Sequence, residues 1–290
     1  NHGRYRGPLH GIPFGAKDLF SVANIETTWG AAPCKGQVFD FDATVITRLR
    51  AAGAILLGTT AMVEFAGGLG YRYPNASISG PGRNPWNPDR WTGGSSSGSG
   101  AAVAAGLAAF ALGTETWGSI LCPSAFCGLT GLRPTYGRVS RHGAMVCSWT
   151  FDKVGPITRA AGDCRIVLQA IAGADPEDSS ASTEPVRIER GRGRPIKSLR
   201  AALGPLDWSK NGEPEVKQAF DQAVDVLRGA GLAMEEAKLP EFPASELAGT
   251  IITAEAISTF EKFFKDGSVA RLADRFAQYQ PEINRAMTGA

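Results

Sequence analysis

A chain of 290 residues, 43% hydrophobic and 20% charged, is long enough to bury a sizeable core as one large domain or two small ones. Its net charge of +2 gives no electrostatic footprint for nucleic acid, and the densest basic run, Arg187 to Arg200, is broken by Gly and Pro and reads as a solvated loop. Five cysteines without a CxxC pair (Cys34, Cys122, Cys127, Cys147, Cys164), beside only His2, His10 and His142, exclude a zinc site and a disulfide framework. Reduced, mostly buried thiols predict a cytoplasmic protein, and the lack of any run of about 18 apolar residues or of a signal-peptide layout predicts neither a membrane span nor export. The chain opens without Met and closes on a polar helical pattern, so both ends read as fragment boundaries.

In chain order, Asp42–Gly53 reads as a helix capped by Asp42, with Val45, Leu49 and Ala52 on one face and Gly53 closing it. Ala54–Gly58 follows as a short buried strand. A small-residue helix from about Gly98 to Gly106 leads into an apolar strand near Leu107–Gly113, and Ala160–Ala172 is a further amphipathic helix. Beyond a Pro/Gly/Arg-rich connection at 174–198, strand Leu199–Leu203, helix Pro214–Arg228 and strand Leu232–Leu239 alternate. Thr250–Phe264 and Val269–Gln278 read as helices. There are no internal repeats, and the alternation makes the fold class α/β.

The stretch Thr92–Gly128, TGGSSSGSGAAVAAGLAAFALGTETWGSILCPSAFCG, has the glycine and serine density of a linker, yet it runs directly into apolar sequence. A phosphate-cradling loop would explain glycines before a helix, but there is no G-x-x-x-x-G-K-[ST], and Val103 stands where the dinucleotide fingerprint wants Gly. Gly94-Ser95-Ser96-Ser97-Gly98 formally matches G-x-S-x-G, but a nucleophile elbow needs an acid and then a histidine well downstream, and only Glu115 and His142 follow, too close. A serine can instead be activated by a desolvated lysine. Lys17, in the apolar segment GIPFGAKDLF, is the candidate, and bringing such an amine from about 10.4 to near 7 costs roughly 4–5 kcal/mol, a size burial supplies.

Together GIPFGAKDLF, GGSSSGSGAAVAAG, GTETWGSILCPSAFCGLTGLRPTYGRVSRHGA and DKVGPITR, in this order and with Ser95 and Ser119 24 positions apart, resemble the amidase signature enzymes over nearly the whole chain. The resemblance implies one amidase-signature domain over 1–290, a mixed central β-sheet covered by helices on both faces, truncated at both ends because family members are considerably longer. It implies a Ser–cis-Ser–Lys triad: Ser119 as nucleophile, Ser95 as proton relay after a cis Gly94–Ser95 peptide, and Lys17 as base. Thr116, Trp117, Gly118 and Ser119 match the oxyanion-hole loop. Gly94 and Ser96 are supporting positions, and Met62 and Phe65 line the acyl pocket or simply fill the core. Read without the family, Ser119 is a helix N-cap before Ile120–Phe126, and Ser96 and Ser97 cap and hydrogen-bond their loop.

Three positions depart from the family pattern. Trp117 stands where the family has Gly, Leu121 where it has Arg, and Glu115 where it has Asp, so Glu115 needs another partner, with Arg133 expected. The missing arginine points to a neutral, fairly apolar acyl group. The implied activity is hydrolysis of linear amides through an acyl-enzyme, with esters, anilides and carbamates (urethanes) as further substrates. No cofactor or metal is implied, and no nucleic acid or membrane; the expected partner is a small-molecule amide, ester or carbamate, with a homodimer possible. Two alternatives stand beside it: the catalytic A-type subunit of a glutamine-dependent aspartyl/glutamyl-tRNA amidotransferase, and a non-catalytic family member.

Overall fold

Strand β1 (Pro13–Lys17) lies inside a five-stranded mixed sheet. It runs parallel to β2 (Ile55–Thr60) on one side and to β5 (Phe110–Glu115) on the other. β7 (Lys153–Thr158) is antiparallel to β5, and the two-residue β6 (Thr130–Gly131) closes the order β2-β1-β5-β7-β6. A two-residue β3 (Arg83–Asn84) and β4 (Asn87–Trp91) form a separate antiparallel pair. The structure is a computed structural model describing residues 3, 5–67, 74–186, 194–204, 208, 212–238 and 240–274. Residues 1–188 with 247–290 form one compact unit and 189–246 a second.

In the first unit β5 is buried along its whole length, as a central strand covered on both faces must be. Phe14 of β1 stacks on Phe110 of β5 at 5.3 Å, and the core continues through Leu19, Phe20, Ile46, Leu49 and Leu112. Helix α2 (Ser97–Ala104) packs on β1, β2 and β5, and α4 (Ala161–Ile171) packs on β7 and on α1 (Thr44–Ala51). The mixed α/β sheet is the one the family resemblance implies.

Several local expectations are corrected. Asp42 does not cap α1: Ala43 holds the N-cap without a side-chain bond, while Asp42 accepts from the Ala23 N–H at 2.9 Å and pairs with Arg50 at 2.9 Å. Gly53 does close the helix, with φ 84°. The strand read as buried at Ala54–Gly58 is the exposed edge of the sheet, with Ile55 and Leu57 52% and 59% exposed. Glycine and proline inside β1 and β7 hid both strands from the sequence reading, since those residues normally mark bulges or edges. The helix expected at Thr250–Phe264 is two, α6 (Ala244–Thr259) and α7 (Glu261–Lys265), divided at the fully buried Phe260, which stacks on Phe65 at 4.4 Å. A short 3-10 turn, Ser268–Arg271, occupies the start of the predicted helix Val269–Gln278, whose positions 275–278 lie outside the described residues. α3 (Leu121–Phe126) is treated with the site.

The second unit is a βαβ arrangement: β8 (Arg200–Leu203), α5 (Pro214–Gly229) and β9 (Ala233–Glu236), with the strands parallel. Pro214 at the first turn, Glu215 beside it and Arg228 in the last turn suit the helix ends and their dipole. These elements match the predicted ones closely, although Leu239 and residues 187–193 of the basic run lie outside the described residues. No described helix is long and apolar enough to cross a membrane.

Candidate active site

Lys17 ends β1, and parallel pairing with β5 brings Thr114 beside it. The lysine side chain is wholly buried, and Nζ donates to Ser95 Oγ at 2.7 Å and to Thr114 Oγ1 at 3.0 Å. Among the described residues no carboxylate lies within ion-pair distance of it. Burial therefore dominates and lowers its pKa from 10.5 to about 7, against the opposing pull of the negative Asp152 and, more weakly, Cys147 and Glu115. Close to neutral pH a substantial share of this amine is uncharged, as a proton acceptor must be.

Ser95 follows a cis Gly94–Ser95 peptide and is itself fully buried. Its carbonyl accepts from Val63 N at 3.0 Å. The glycine–serine run is a set of ties between α2 and the sheet. Ser96 Oγ donates to the Thr114 carbonyl at 3.3 Å, Ser97 Oγ to the Ala61 carbonyl at 3.3 Å and Ser99 Oγ to the Leu112 carbonyl at 2.9 Å. Gly98 N donates to Ala61 O at 2.8 Å, and a β-carbon on Gly98 would sit 2.4 Å from Ala61 N. Only glycine lets the first turn of α2 rest directly on that backbone. At Gly94, likewise, a β-carbon would meet Trp91 and Val63 at 2.8 and 2.9 Å.

Beyond β5 the chain turns through Thr116–Ser119 with Gly118 at φ 91°, a conformation that favours glycine. Ser119 is buried, and its carbonyl accepts from Ser96 N at 3.3 Å. Lys17 and Ser95 are therefore joined through their side chains, whereas Ser119 meets the serine run through its backbone; no Ser95–Ser119 side-chain hydrogen bond forms among the described residues. The N–H groups of Trp117, Gly118 and Ser119 donate to no protein acceptor among those residues. The next two amides behave differently: Ile120 N and Leu121 N both donate to Glu115 Oε2 at 2.9 Å. Ser119 is thus not the N-cap of α3. Ile120 holds that position without a side-chain cap, and the buried Glu115 carboxylate satisfies the free amides instead. Arg133 pairs with Glu115 at 3.5 Å, the partner expected for a glutamate that stands where the family has aspartate.

The sequence reading missed Asp152, although it opens the block DKVGPITR. It is buried, accepts Thr116 Oγ1 at 2.5 Å, and takes the N–H groups of Cys147 and Ser148 at 2.6 and 3.0 Å. Thr114 was missed too. Its hydrogen bond to Lys17 joins positions 97 apart in the chain, and no local signal announces it. Met62 and Phe65 are both fully buried in the core, Phe65 against Phe260 and Phe263, so the core-packing reading of them fits the structure. Close to Ser119 in the chain, Trp117 is 60% and Leu121 43% exposed.

The amidase family profile matches residues 1–288. The A-type subunit of the glutamyl-tRNA(Gln) amidotransferase of Roseiflexus sp. (strain RS-1) is 44% identical over 259 residues, 88% of this chain and 52% of its own. Its counterpart from Geobacter metallireducens is 39% identical over 283 residues, 95% of this chain and 58% of its own. The chain spans about half the length of these curated relatives. Among solved structures, the native peptide amidase from Stenotrophomonas maltophilia superposes with a TM-score of 0.77 at 38% identity, over 91% of this chain and 55% of that one. The A-type subunit of the Thermotoga maritima glutamyl-tRNA(Gln) amidotransferase does so with a TM-score of 0.81 at 30% identity, over 96% and 63%. The chain belongs to the amidase family.

Proposed function

We propose that the chain carries the amide-cleaving site of an amidase, working by nucleophilic acyl transfer. Ser119 Oγ attacks the amide carbonyl, its proton passes by way of Ser95 to the uncharged Lys17 amine, and the C–N bond breaks as that proton returns to the leaving amine. Water then attacks the acyl-Ser119 ester along the same proton path and frees the acid. The single observation that carries this reading is a wholly buried Lys17 with Nζ 2.7 Å from Ser95 Oγ. The amides of Trp117, Gly118 and Ser119, which meet no acceptor among the described residues, support the loop as the oxyanion hole. The family match runs through both compact units, which supports 1–290 as part of one amidase domain.

For the substrate, the curated relatives favour the alternative reading over a stand-alone amidase. Eight of them, at identities from 38% to 44%, are named as A-type subunits of glutamyl-tRNA(Gln) amidotransferases. In that reading the amide is glutamine's, ammonia is the product, and the partners are further subunits and a tRNA, which the chain's own charge of +2 does not announce. A second reading, a stand-alone hydrolase of neutral amides, esters or carbamates, is supported by the exposed Trp117 and Leu121 beside Ser119.

Ammonia or amine release from glutamine, a small aliphatic amide, an aryl anilide and a carbamate separates these. Preference for glutamine, with a co-purifying second subunit, fits the amidotransferase. Preference for an anilide or aliphatic amide fits the second reading. No turnover of any of them, with no fluorophosphonate adduct on Ser119, would overturn both and leave a non-catalytic member.

A further inference from the structure

Glu255 lies on α6, 103 positions beyond Asp152, and is buried without a cation partner among the described residues. Both of its oxygens are taken by one loop: Ser148 Oγ and Thr150 N (3.1 Å) donate to Oε2, and Thr150 Oγ1 donates to Oε1. A carboxylate is acceptor-only, so it matches three donors as no amide could. The same loop holds Asp152, through the Cys147 and Ser148 amides on Oδ2, while Asp152 Oδ1 accepts from Thr116 Oγ1. Thr116 begins the loop that carries Ser119. A continuous set of hydrogen bonds, buried at Ser148 and Cys147 and part-buried at Thr150 and Thr116, thus runs from α6 to the nucleophile loop, and charge-assisted bonds of this kind are the stronger ones.

We propose that Glu255 is a positioning residue for catalysis, fixing the 147–152 loop so that Asp152 in turn holds Thr116 and the 116–119 amides in place. The proposal rests on the acyl-transfer reading above. Glu255 touches neither Lys17 nor Ser95, and its effect passes through Asp152, whose charge also reaches Lys17. The other titratable groups that bear on Lys17 are Glu115 and Cys147, the latter a thiol that burial pushes up to about 12.

The test is Glu255→Gln in the full protein, with Thr150→Val as a milder second variant. Gln puts an NH₂ group in place of one carboxylate oxygen, against one or two of the three donors. We expect kcat to fall about tenfold with KM within about twofold, because misplacing an oxyanion donor acts on the transition state. The acid midpoint of kcat/KM moves to lower pH as Asp152 loosens from Lys17, and hydrogen exchange quickens in peptides covering 116–121 and 147–152. Thr150→Val shifts the same readings less, and decides alone if Glu255→Gln does not fold. A folded Glu255→Gln protein with unchanged kcat and acid midpoint would overturn the proposal, even if exchange at 147–152 rises. Should the wild-type protein hydrolyse nothing, the acyl-transfer reading fails separately, and exchange at 116–121 then decides: faster supports the link, unchanged refutes it.

Discussion

Lys17 and Trp117 lie at opposite extremes of the proposed site. The lysine end is closed: among the described residues its amine hydrogen-bonds two hydroxyls, and the glycine–serine segment beside it is tied to β5 at Ser96 and Ser99 and to Ala61, just beyond β2, at Ser97. The loop end is open, with three amides that meet no acceptor among the described residues, Gly118 facing open space and an indole 60% exposed. A proton acceptor made from lysine works only where water is excluded, since hydration would restore its ordinary pKa. A group that meets a substrate has to be reached. The closed end therefore depends on packing and the open end on backbone geometry, and substitutions at the two ends should fail in different ways.

The largest effects belong to the chemistry itself. Ser119→Ala and Lys17→Ala should each lower kcat/KM by about 10⁴-fold or more while circular dichroism stays native. Loss of fold instead of function in Ser119→Ala would erase the distinction between the ends. Lys17→Met should separate function from stability. The folded pKa of about 7 lies below the unfolded 10.5, so the unfolded chain binds more protons between those values and wild-type stability rises with pH across that window. Lys17→Met should therefore be inactive yet more stable at pH 7, by up to about 4–5 kcal/mol, with the gain shrinking toward pH 10 in urea titrations. Gly98→Ala, at the closed end, should lose about 1–3 kcal/mol by overpacking against Ala61, and activity with it. Trp117→Ala, at the open end, should leave stability alone and shift kcat/KM for aromatic over small amides by about 1 kcal/mol, a few-fold change in the hydrolysis panel.

The closed end was legible in the sequence because its residues sit in short ordered blocks with fixed spacing. Lys17, Ser95 and the cis linkage fall where those blocks place them. What escaped was whatever depends on a partner distant in the chain. Asp42 sits before a helix and reads as its cap, but Arg50 and the Ala23 amide claim its carboxylate. Ser119 reads as a cap for the same local reason, and Glu115 displaces it. Ile55 and Leu57 read as buried because apolar runs usually are, yet β2 is an edge strand. Glu255 carries no local signal at all: its meaning lies in a loop about a hundred positions upstream.

The most direct test of the central claim, an uncharged Lys17 accepting the Ser119 proton through Ser95, is the pH dependence of kcat/KM for a neutral amide. The account predicts a fall on the acid side with a midpoint near 7, as Lys17 takes up its proton. A profile that stays flat down to pH 5 would contradict it.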